Sequence, residues 1–433
     1  MAYDFLLASF EGGGSIPTAT TAIRRLTARG HRVRVLLDEA ARDDIEAAGA
    51  TFVPWTAVNR AGRTRETDPL FMDVPDGPWT PQQGLDELQR VLDRLTIGPS
   101  AAYAADTLAE LERAPADAVV SIDILWGPLL AARAAGVPAA TLAGSGPMYV
   151  EIPGVPPAGP GFPPPRTEAE RAEQAGVAAW FADQVNARLP VLNATRAGVG
   201  LAPLGHALDQ MQEVDLHLIA TSRAFDFPST GLPPNLRYLG PLLDQPMWAR
   251  SWTSPWPADD TRPLVLVAMS TTFQNQAGVI QSILDAAADL PVRVLATLGP
   301  ALVDARLRAP DNAVLVAAAA HDEVMREATV VVTHCGHGTV MRALANGRPM
   351  LCLPMGRDQN DNAARVAARG AGIRLSPDAG AAALREALAA LLADLCYAQA
   401  AAALGRAIAA AEPEDALVDA LESLAGRARA AAA

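Results

Sequence analysis

A run of β-branched residues that ends at a histidine between small residues constrains this chain more than any other segment. Residues 330–339 read Val-Val-Val-Thr-His-Cys-Gly-His-Gly-Thr. The pattern predicts a buried strand, a tight turn and the start of a helix. Glycines let the backbone approach a ligand closely, and the first N–H groups of a helix attract an anion. We therefore expect an anion site, with phosphate as its natural ligand, at His334, Gly336, His337, Gly338 and Thr339.

The next segment predicts polar ligands at the same sheet edge. Residues 343–349 end the helix, residues 350–354 read as a buried strand, and Asp358 and Gln359 open a polar loop. Parallel strands bring their carboxyl ends to one edge of a sheet, where ligands bind. One crevice could therefore hold a phosphate and a polyol.

Strands and helices alternate along most of the chain, which predicts an α/β fold with parallel sheets. A strand at 5–10, a glycine turn, a helix at 19–29 and a strand at 32–37 form one βαβ unit. Further strands are predicted at 116–122, 137–142, 264–268 and 292–296. Because 433 residues exceed what one core usually supports, we expect two Rossmann-like domains facing each other.

We place the first domain at 1–222, a linker rich in proline and tryptophan at 223–262, and the second domain at 263–410. A helix at 411–433 could pack back on the first domain. Residues 152–165 are crowded with proline and glycine. They are either a long loop near a binding cleft or a disordered surface loop.

Composition narrows the class of partner. The net charge is −13 and the 35 lysines and arginines form no dense cluster, so we expect no nucleic-acid partner. Three widely spaced cysteines suggest reduced thiols in a cytoplasmic protein. The start lacks basic residues, and apolar runs stay short of 18 residues, so we expect neither a signal peptide nor a membrane span. The partners should be small molecules.

Taken together, these motifs resemble the GT-B glycosyltransferases of family 1, which transfer sugars from UDP- or TDP-sugars to natural products. The family signature appears here as His334-Cys-Gly-His-Gly-Thr339, Ala343-x-x-x-Gly347-x-Pro349, Pro354, Asp358-Gln359 and Asn362-Ala363. Weaker similarities in the first half are a glycine turn after the first strand, Arg29-Gly-His31, and the sequence of residues 47–54.

The resemblance implies a role for each matching residue. The second domain would bind the nucleotide sugar and the first domain the acceptor. His334 and the turn from Gly336 to Thr339 would hold the donor diphosphate, helped by Ser270 and Thr271. Asp358 and Gln359 would contact sugar hydroxyls, and the loop at His321 would contact the nucleobase. The chain has no Asp-x-Asp triplet, so we expect no metal and no cofactor.

The first departure from the family concerns the general base. The family usually places a histidine sixteen residues before the histidine of Arg-Gly-His, and that position is Ser15 here. A serine hydroxyl is too weak a base to act alone. We hypothesise that Asp123, where the family often has an acidic residue, takes the proton directly, through water or through Ser15. An apolar cleft would raise its pKa. Glu11 is an alternative base, and an acidic acceptor would need only a weak one.

The second departure is Arg342, which stands where many family members have a glutamate on the ribose. An arginine cannot accept hydrogen bonds from ribose hydroxyls. It could pair instead with a phosphate, with Asp358 or with Asp361.

Several candidates also have a purely structural interpretation. Ser270 and Thr271 could be helix caps, Asp123 a capping carboxylate, Asp358 and Gln359 ordinary loop residues, and His337 a solvated turn residue. We interpret His31, His206 and His217 as structural. We interpret Trp248, Trp252 and Trp256 as packing anchors.

The sequence favours an inverting glycosyltransferase that moves a hexose or deoxyhexose from a nucleotide-diphosphate sugar, UDP favoured over TDP, to a hydroxyl of a lipophilic or aromatic acceptor. Residues 71–79 and 152–162 are candidate acceptor walls. One alternative is a catalytically impaired protein that only binds nucleotide sugars, and another is a nucleotide-sugar epimerase. Hydride chemistry fits less well, because the first glycine turn lacks the Gly-x-Gly-x-x-Gly spacing.

Overall fold

Two parallel β-sheets form the framework of the protein in a computed structural model that describes residues 2–12, 14–58, 60, 63, 64, 68, 70, 81–243, 251–299, 302 and 305–432. The first sheet has the order β3-β2-β1-β4-β5-β6-β7, and the second has the order β10-β9-β8-β11-β12-β13. The predicted α/β architecture with two Rossmann-like halves is confirmed. The strands are β1 Asp4–Ala8, β2 Arg32–Leu37, β3 Thr51–Pro54, β4 Ala118–Ile122, β5 Ala139–Ala143, β6 Leu216–Ile219, β7 Leu236–Tyr238, β8 Leu264–Ala268, β9 Arg293–Thr297, β10 Ala313–Val316, β11 Val330–Thr333, β12 Met350–Cys352 and β13 Gly372–Arg374.

Helices cover both faces of each sheet. In the first half they are α1 Ser15–Ala28, α2 Arg42–Ala47, α3 Pro81–Val91, α4 Ser100–Arg113, α5 Gly127–Ala135, α6 Glu168–Asn186 and α7 Leu189–Gly198. In the second half they are α8 Ala277–Ala287, α9 His321–Glu327, α10 His337–Ala345, α11 Gln359–Ala368, α12 Ala381–Ala393, α13 Leu395–Ala411 and α14 Ala416–Ala432. Short 3-10 turns at Glu39–Ala41 and Ala207–Glu213 and a π-helical segment at Leu92–Thr96 complete the first half.

The central strands are apolar because helices bury them on both sides. Every residue of β8 is buried, as is every residue of β11. Each sheet therefore separates two hydrophobic clusters, one under each helical layer.

The strand orders place a switch point in each sheet. Strand β1 pairs with both β2 and β4, and β8 pairs with both β9 and β11, so the connections leave in opposite directions from these pairs. A crevice opens at the carboxyl ends of the strands at such a point. The glycine turn and Asp123 follow β1 and β4. Ser270 and His334 follow β8 and β11.

The segment interpreted as a linker, residues 223–262, contains strand β7. This strand pairs with β6 in the register His217 to Leu236, so the first sheet continues past residue 222. The three residues of β7 are too few to show the periodicity of a strand, and prolines flank them on both sides, so the sequence did not predict this strand. The last helix, α14, packs on the first half of the chain through Leu417, Leu421 and Leu424, which share a cluster with Phe5 and Ile23.

Within the described residues, no single helix is long and apolar enough to cross a membrane. The bent pair Ala381–Ala393 and Leu395–Ala430, with an angle of 72° between its parts, meets the length and composition criteria together.

Candidate active site

A cavity of about 1420 Å³ lies between the two halves of the chain. Its walls come from the loops after β1, β4 and β5, from helices α3 and α6, and from the loops after β8, β11 and β12. The predicted site residues all line it, namely Ser15, Asp123, Ser270, Thr271, His321, His334, Gly336, His337, Gly338, Thr339, Asp358 and Gln359. Residues more than 300 positions apart in sequence therefore meet at one site.

The turn between β11 and α10 is closely packed around His334. A β-carbon on Gly336 would lie 2.7 Å from His334 Nε2 and 3.0 Å from its Cε1, so only glycine leaves room for the imidazole. Cys335 has a φ of 68°, a left-handed conformation that residues with side chains rarely adopt. The Asn362 side chain donates a hydrogen bond to the Cys335 carbonyl at 3.0 Å and holds this turn. The turn thus directs the amino end of α10 into the cavity.

The three histidines nearest this turn are uncharged at neutral pH. Burial lowers the pKa of His334, His321 and His337 to about 4 in each case. His334 Nδ1 is buried without a hydrogen-bond partner among the described residues. The Ala268 carbonyl at the end of β8 also acts on this imidazole. His334 lines the cavity, so its ring can contact a ligand there. A neutral imidazole and backbone N–H groups can bind an anion there without a buried charge.

His337 contacts the other half of the protein. Its Nε2 lies 2.8 Å from the Thr221 hydroxyl, in the loop after β6, and its ring packs edge-on against Phe225. Its side chain is buried, which contradicts the interpretation as a solvated turn residue. His321 Nε2 lies 3.0 Å from the Thr297 hydroxyl at the end of β9, at the edge of the same cavity.

The turn after β8 presents hydroxyl groups opposite the α10 terminus. Ser270 Oγ lies 3.0 Å from Thr272 Oγ1 and accepts the Thr272 N–H at 3.2 Å, so Ser270 stabilises its own turn. It is not a helix cap, because α8 begins only at Ala277 and has no side-chain cap. Thr271 is partly exposed and lines the cavity.

Asp358 and Gln359 lie at the start of α11 with most of their polar atoms engaged. Gln359 accepts the Met355 N–H at 2.8 Å and donates to Gln274 at 2.9 Å. The Asp358 carboxylate accepts from Asn362 at 2.9 Å and from the Ser145 hydroxyl of the first half. Burial raises the pKa of Asp358. Gln359 is buried and Asp358 lies at the cavity wall between the two halves.

Arg342 points along the cavity wall and pairs with Asp322 of α9 at 3.3 Å. Its Nη1 also donates to the Gly338 carbonyl at 3.4 Å. Asp358 and Asp361, the partners considered from the sequence, are engaged with other groups. Arg342 therefore lies beside the turn between β11 and α10, and the acidic Asp322 lies next to it.

Asp123 follows β4 at the opposite wall. Burial raises its pKa to about 7, while the N–H groups of Asp123 and Ile124 act in the other direction. Tyr149 lies close enough for the Asp123 charge to raise the tyrosine pKa, and its ring packs against Trp126 and Phe181. A carboxylate in such apolar surroundings titrates near neutral pH and can accept a proton.

Ser15 begins α1, and its hydroxyl is engaged by the turn that precedes it. The hydroxyl lies 2.7 Å from the carbonyl oxygens of both Phe10 and Gly12, to which it donates. Its position in the cavity wall keeps it near an acceptor, but its proton is directed at the backbone. Glu11 is buried and its N–H donates to Asp38 at 2.6 Å. Glu11 is absent from the cavity lining as far as the structure describes it.

The proline-rich segment 152–165 crosses from the first half to α11. The Asp361 carboxylate accepts the N–H groups of Gly159 at 2.6 Å and Gly161 at 2.8 Å, and Arg374 donates to the Gly161 carbonyl at 2.9 Å. A β-carbon on Gly161 would lie 2.3 Å from the Asn360 carbonyl oxygen. Of the two sequence interpretations, the loop at a binding cleft is the one observed. We call residues 152–165 the strap.

Apolar side chains of α3 and α6 line the cavity on the side of the first half. They include Leu85, Leu88 and Val91 on α3 and Val177, Trp180 and Phe181 on α6. The candidate wall at residues 71–79 lies outside the described residues. Helix α6 was not among the sequence candidates, because its weak apolar periodicity gave no signal for a binding face.

The remaining histidines and two of the tryptophans have structural partners. His31 Nε2 lies 2.9 Å from Glu422, His206 caps a 3-10 turn, and His217 lies 2.8 Å from the Thr141 hydroxyl. Trp252 and Trp256 pack beside the core of the second half. Trp248 lies outside the described residues.

The chain is similar in sequence to glycosyltransferases and to proteins of natural-product biosynthesis. Residues 281–424 match the family described as erythromycin biosynthesis protein CIII-like, C-terminal domain. The chain is 28% identical over 386 residues to 4'-demethylrebeccamycin synthase from Lentzea aerocolonigenes, which covers 86% of this chain and 87% of that one. It is 25% identical over 391 residues to the UDP-glucosyltransferase avaP from Aspergillus versicolor, covering 81% of each chain.

Solved structures show the same two-domain fold. The glycotransferase of kitacinnamycin superposes with a TM-score of 0.76 at 21% identity and covers 98% of this chain and 99% of its own. The glycosyltransferase VinC, solved in complex with dTDP, has a TM-score of 0.67 at 20% identity and covers 98% of this chain and 100% of its own. At these identities the likeness shows the GT-B fold.

Proposed function

Because the chain belongs to the GT-B glycosyltransferases of family 1 that act on natural products, we propose that it transfers a hexose or deoxyhexose from a nucleoside-diphosphate sugar to a hydroxyl of a lipophilic or aromatic acceptor, with inversion. The observation that carries this proposal is one cavity with two unlike walls. A helix terminus suited to an anion lies on one side, and a carboxylate with a pKa of about 7 lies in apolar surroundings on the other.

The donor would bind at the carboxyl edge of the second sheet. Its diphosphate would contact His334 and the N–H groups from Gly336 to Thr339, with the hydroxyl of Thr271 opposite. His321 would lie near the nucleobase. Asp358 and Gln359 would face the sugar. The sugar hydroxyls would then share the polar atoms of these two side chains with the protein groups that now bind them. No metal or cofactor is needed in this scheme, because hydrogen-bond donors stabilise the leaving diphosphate.

The acceptor would lie against α3, α6 and Tyr149 with its hydroxyl at Asp123. Asp123 would take the hydroxyl proton as the oxygen attacks the anomeric carbon from the face opposite the diphosphate. Ser15 would shape the turn beside the acceptor. The strap would limit the access of water to the donor, which reduces hydrolysis.

UDP-sugars are our first choice of donor, with TDP-sugars second. One relative is named as a UDP-glucosyltransferase, whereas a structural neighbour was solved with dTDP. A panel of UDP- and TDP-sugars should be tested for thermal stabilisation, because a ligand that binds only the folded state raises the melting temperature. The donor that stabilises best should then be tested for nucleoside diphosphate release with a panel of aromatic and lipophilic alcohols and phenols.

The same assay separates the two alternatives. Nucleoside diphosphate release that depends on the acceptor, with a glycosylated product, supports transfer. Stabilisation by the donor without turnover would favour a binding protein, and an epimeric donor formed without acceptor would favour an epimerase. Absence of stabilisation by every nucleotide sugar would reject the proposal.

A further inference from the structure

Arg357 joins the two walls of the cavity. It follows β12, and its Nη1 donates to Thr272 Oγ1 at 2.7 Å, in the turn after β8. Its Nε donates to Glu87 Oε1 at 3.0 Å, on helix α3 of the first half. One guanidinium therefore contacts both the donor wall and a helix of the acceptor wall.

The backbone at Arg357 is held in an unusual conformation. Its φ is 55°, in the left-handed region, and the preceding Gly356 has a φ of 132°. A residue with a side chain adopts this conformation at a cost, so surrounding contacts must maintain it. The turn directs the arginine toward the gap between the carboxyl ends of β8 and β11, since it reaches Thr272 after β8 and lowers the pKa of His334 after β11.

Positive charge near the α10 terminus comes from arginine and not from histidine. His334, His321 and His337 are neutral at pH 7 because burial lowers the pKa of each to about 4. Three further arginines lie near the turn: Arg342 pairs with Asp322, Arg365 pairs with Asp226, and Arg374 donates to the Gly161 carbonyl of the strap. Arg357 pairs with Glu87 while both side chains are about one quarter exposed, at 27% and 25%. Water reaches this partly exposed pair and screens its charges, so the guanidinium can exchange one anionic partner for another.

We propose that Arg357 is a cationic ligand of the donor diphosphate, and that the diphosphate takes the place of Glu87 on its guanidinium. This inference rests on the proposed function and assigns a specific residue to it. A diphosphate carries more charge than a carboxylate and accepts paired N–H donors from arginine. It therefore competes well for the guanidinium.

The exchange would connect donor binding to the acceptor wall. Glu87 lies on α3 between Leu85 and Leu88, which both line the cavity. Release of Glu87 removes the ion pair that ties α3 to the donor wall. Donor binding would then free this helix to adjust to the acceptor, which favours binding of the donor first.

The test measures binding of UDP and dTDP, with uridine and thymidine as probes that lack phosphate, by calorimetry. Arg357→Gln should raise the Kd of the preferred diphosphate about tenfold or more, as expected for the loss of charged hydrogen bonds. It should leave nucleoside binding unchanged. Arg357→Lys should give an intermediate loss, since it keeps the charge but not the paired donors. Arg385→Gln, a surface arginine on α12 paired with Asp289, is the control for loss of one positive charge.

Glu87→Gln provides a second test, in which the expected change in diphosphate affinity is opposite to that of Arg357→Gln. Removal of the competing carboxylate should tighten diphosphate binding by up to about fivefold, the range of an exposed ion pair. General damage to the fold cannot produce opposite effects at the two ends of one ion pair. In addition, Arg357→Gln should raise the pKa of His334, which NMR titration of the imidazole measures without any ligand.

The outcomes decide between the two proposals. Diphosphate binding by Arg357→Gln at the wild-type affinity, or an equal loss of diphosphate and nucleoside affinity, would overturn the role of Arg357 and leave the proposed function intact. Weaker diphosphate binding by Glu87→Gln would also overturn it. Wild-type protein that binds no nucleoside diphosphate would reject the proposed function, and the inference with it.

Discussion

Gly336 and His334 occupy space that allows no side chain at position 336, because a β-carbon there would lie 2.7 Å from the imidazole Nε2. The glycine therefore determines where the histidine ring can lie in the turn between β11 and α10. In other contacts of this cavity, too, one residue fixes the position of a second residue that lines the cavity.

Gly336→Ala should displace the His334 ring or the turn and weaken nucleoside diphosphate binding by about tenfold or more, since the shifted groups lose charged hydrogen bonds. Calorimetry with UDP and dTDP measures the change. Gly278→Ala is the matched control, because nothing lies within 4 Å of a β-carbon at that position of α8. Wild-type diphosphate affinity in Gly336→Ala would contradict the proposed diphosphate site.

Asp123→Asn should lower kcat about 100-fold or more, because the amide cannot accept the acceptor proton. In the wild-type enzyme, kcat should rise with pH through about 7 as Asp123 loses its proton. Product formation by liquid chromatography across pH 5 to 9 measures both effects. A phenolic acceptor should suffer a smaller loss than an aliphatic alcohol, since it ionises more readily. Full activity of Asp123→Asn with an alcohol acceptor would exclude this base.

The same substitution should change stability in a defined direction. The folded protein retains the Asp123 proton up to about pH 7, whereas the unfolded chain loses it near 3.8. Stability therefore falls as pH rises between these values, and the penalty is complete above pH 7. Asp123→Asn removes the buried charge and its penalty. The melting temperature of the variant should therefore exceed that of the wild-type protein by more at pH 8 than at pH 5. An equal gain at both values would show that the carboxyl is not buried as described.

Ser15→Ala tests whether this hydroxyl holds the turn or relays a proton. Because it donates to the Phe10 and Gly12 carbonyls, its loss should cost about 1 kcal/mol of unfolding free energy. The pH at which kcat is half-maximal should stay the same. Ser282→Ala, which removes a hydroxyl from the exposed face of α8, is the control. A shifted pH profile with unchanged stability would instead indicate a relay.

Thr221→Val tests the contact between the two halves through His337. The change leaves a buried imidazole nitrogen without its partner at 2.8 Å, which should cost about 1 to 3 kcal/mol of unfolding free energy. Denaturant unfolding measures the loss. Thr221→Ser keeps the hydroxyl and should retain most of the stability. Equal stability of the valine and serine variants would mean that the hydroxyl contributes nothing.

Asp361→Asn tests the attachment of the strap to α11. The N–H groups of Gly159 and Gly161 donate to different oxygens of the Asp361 carboxylate. An asparagine amide keeps only one acceptor oxygen and places an NH2 donor against the other N–H group, so one of the two hydrogen bonds is lost. Hydrogen exchange in residues 152–165 should become about tenfold faster, and hydrolysis of the donor without acceptor should increase. Asp285→Asn, on the exposed side of α8, is the control. Unchanged exchange in the strap would show that other contacts hold it.

The sequence alone determined the parts of this protein that depend on local pattern. Apolar runs and glycine turns predicted most central strands to within about two residues, and the pattern at residues 330–339 predicted the strand, turn and helix that the structure has there. Strand β7 was not predicted, because three residues between prolines show no periodicity. The short strands β3, β6, β10 and β13 were not predicted either. The resemblance to the family, applied by counting sixteen residues back from His31, placed Ser15 where the family usually has its histidine.

Only the tertiary structure decided which residues face each other across the cavity. Thr221 meets His337, Glu87 meets Arg357, and the strap meets Asp361 over separations of 116, 270 and about 200 residues. Such contacts depend on how two independently wound sheets pack together, and no periodicity in either one encodes that. The pKa of Asp123 is of the same kind, since apolar groups from distant segments bury it. The residue types that line each wall of the cavity could be predicted from the sequence. How the two walls face each other could not.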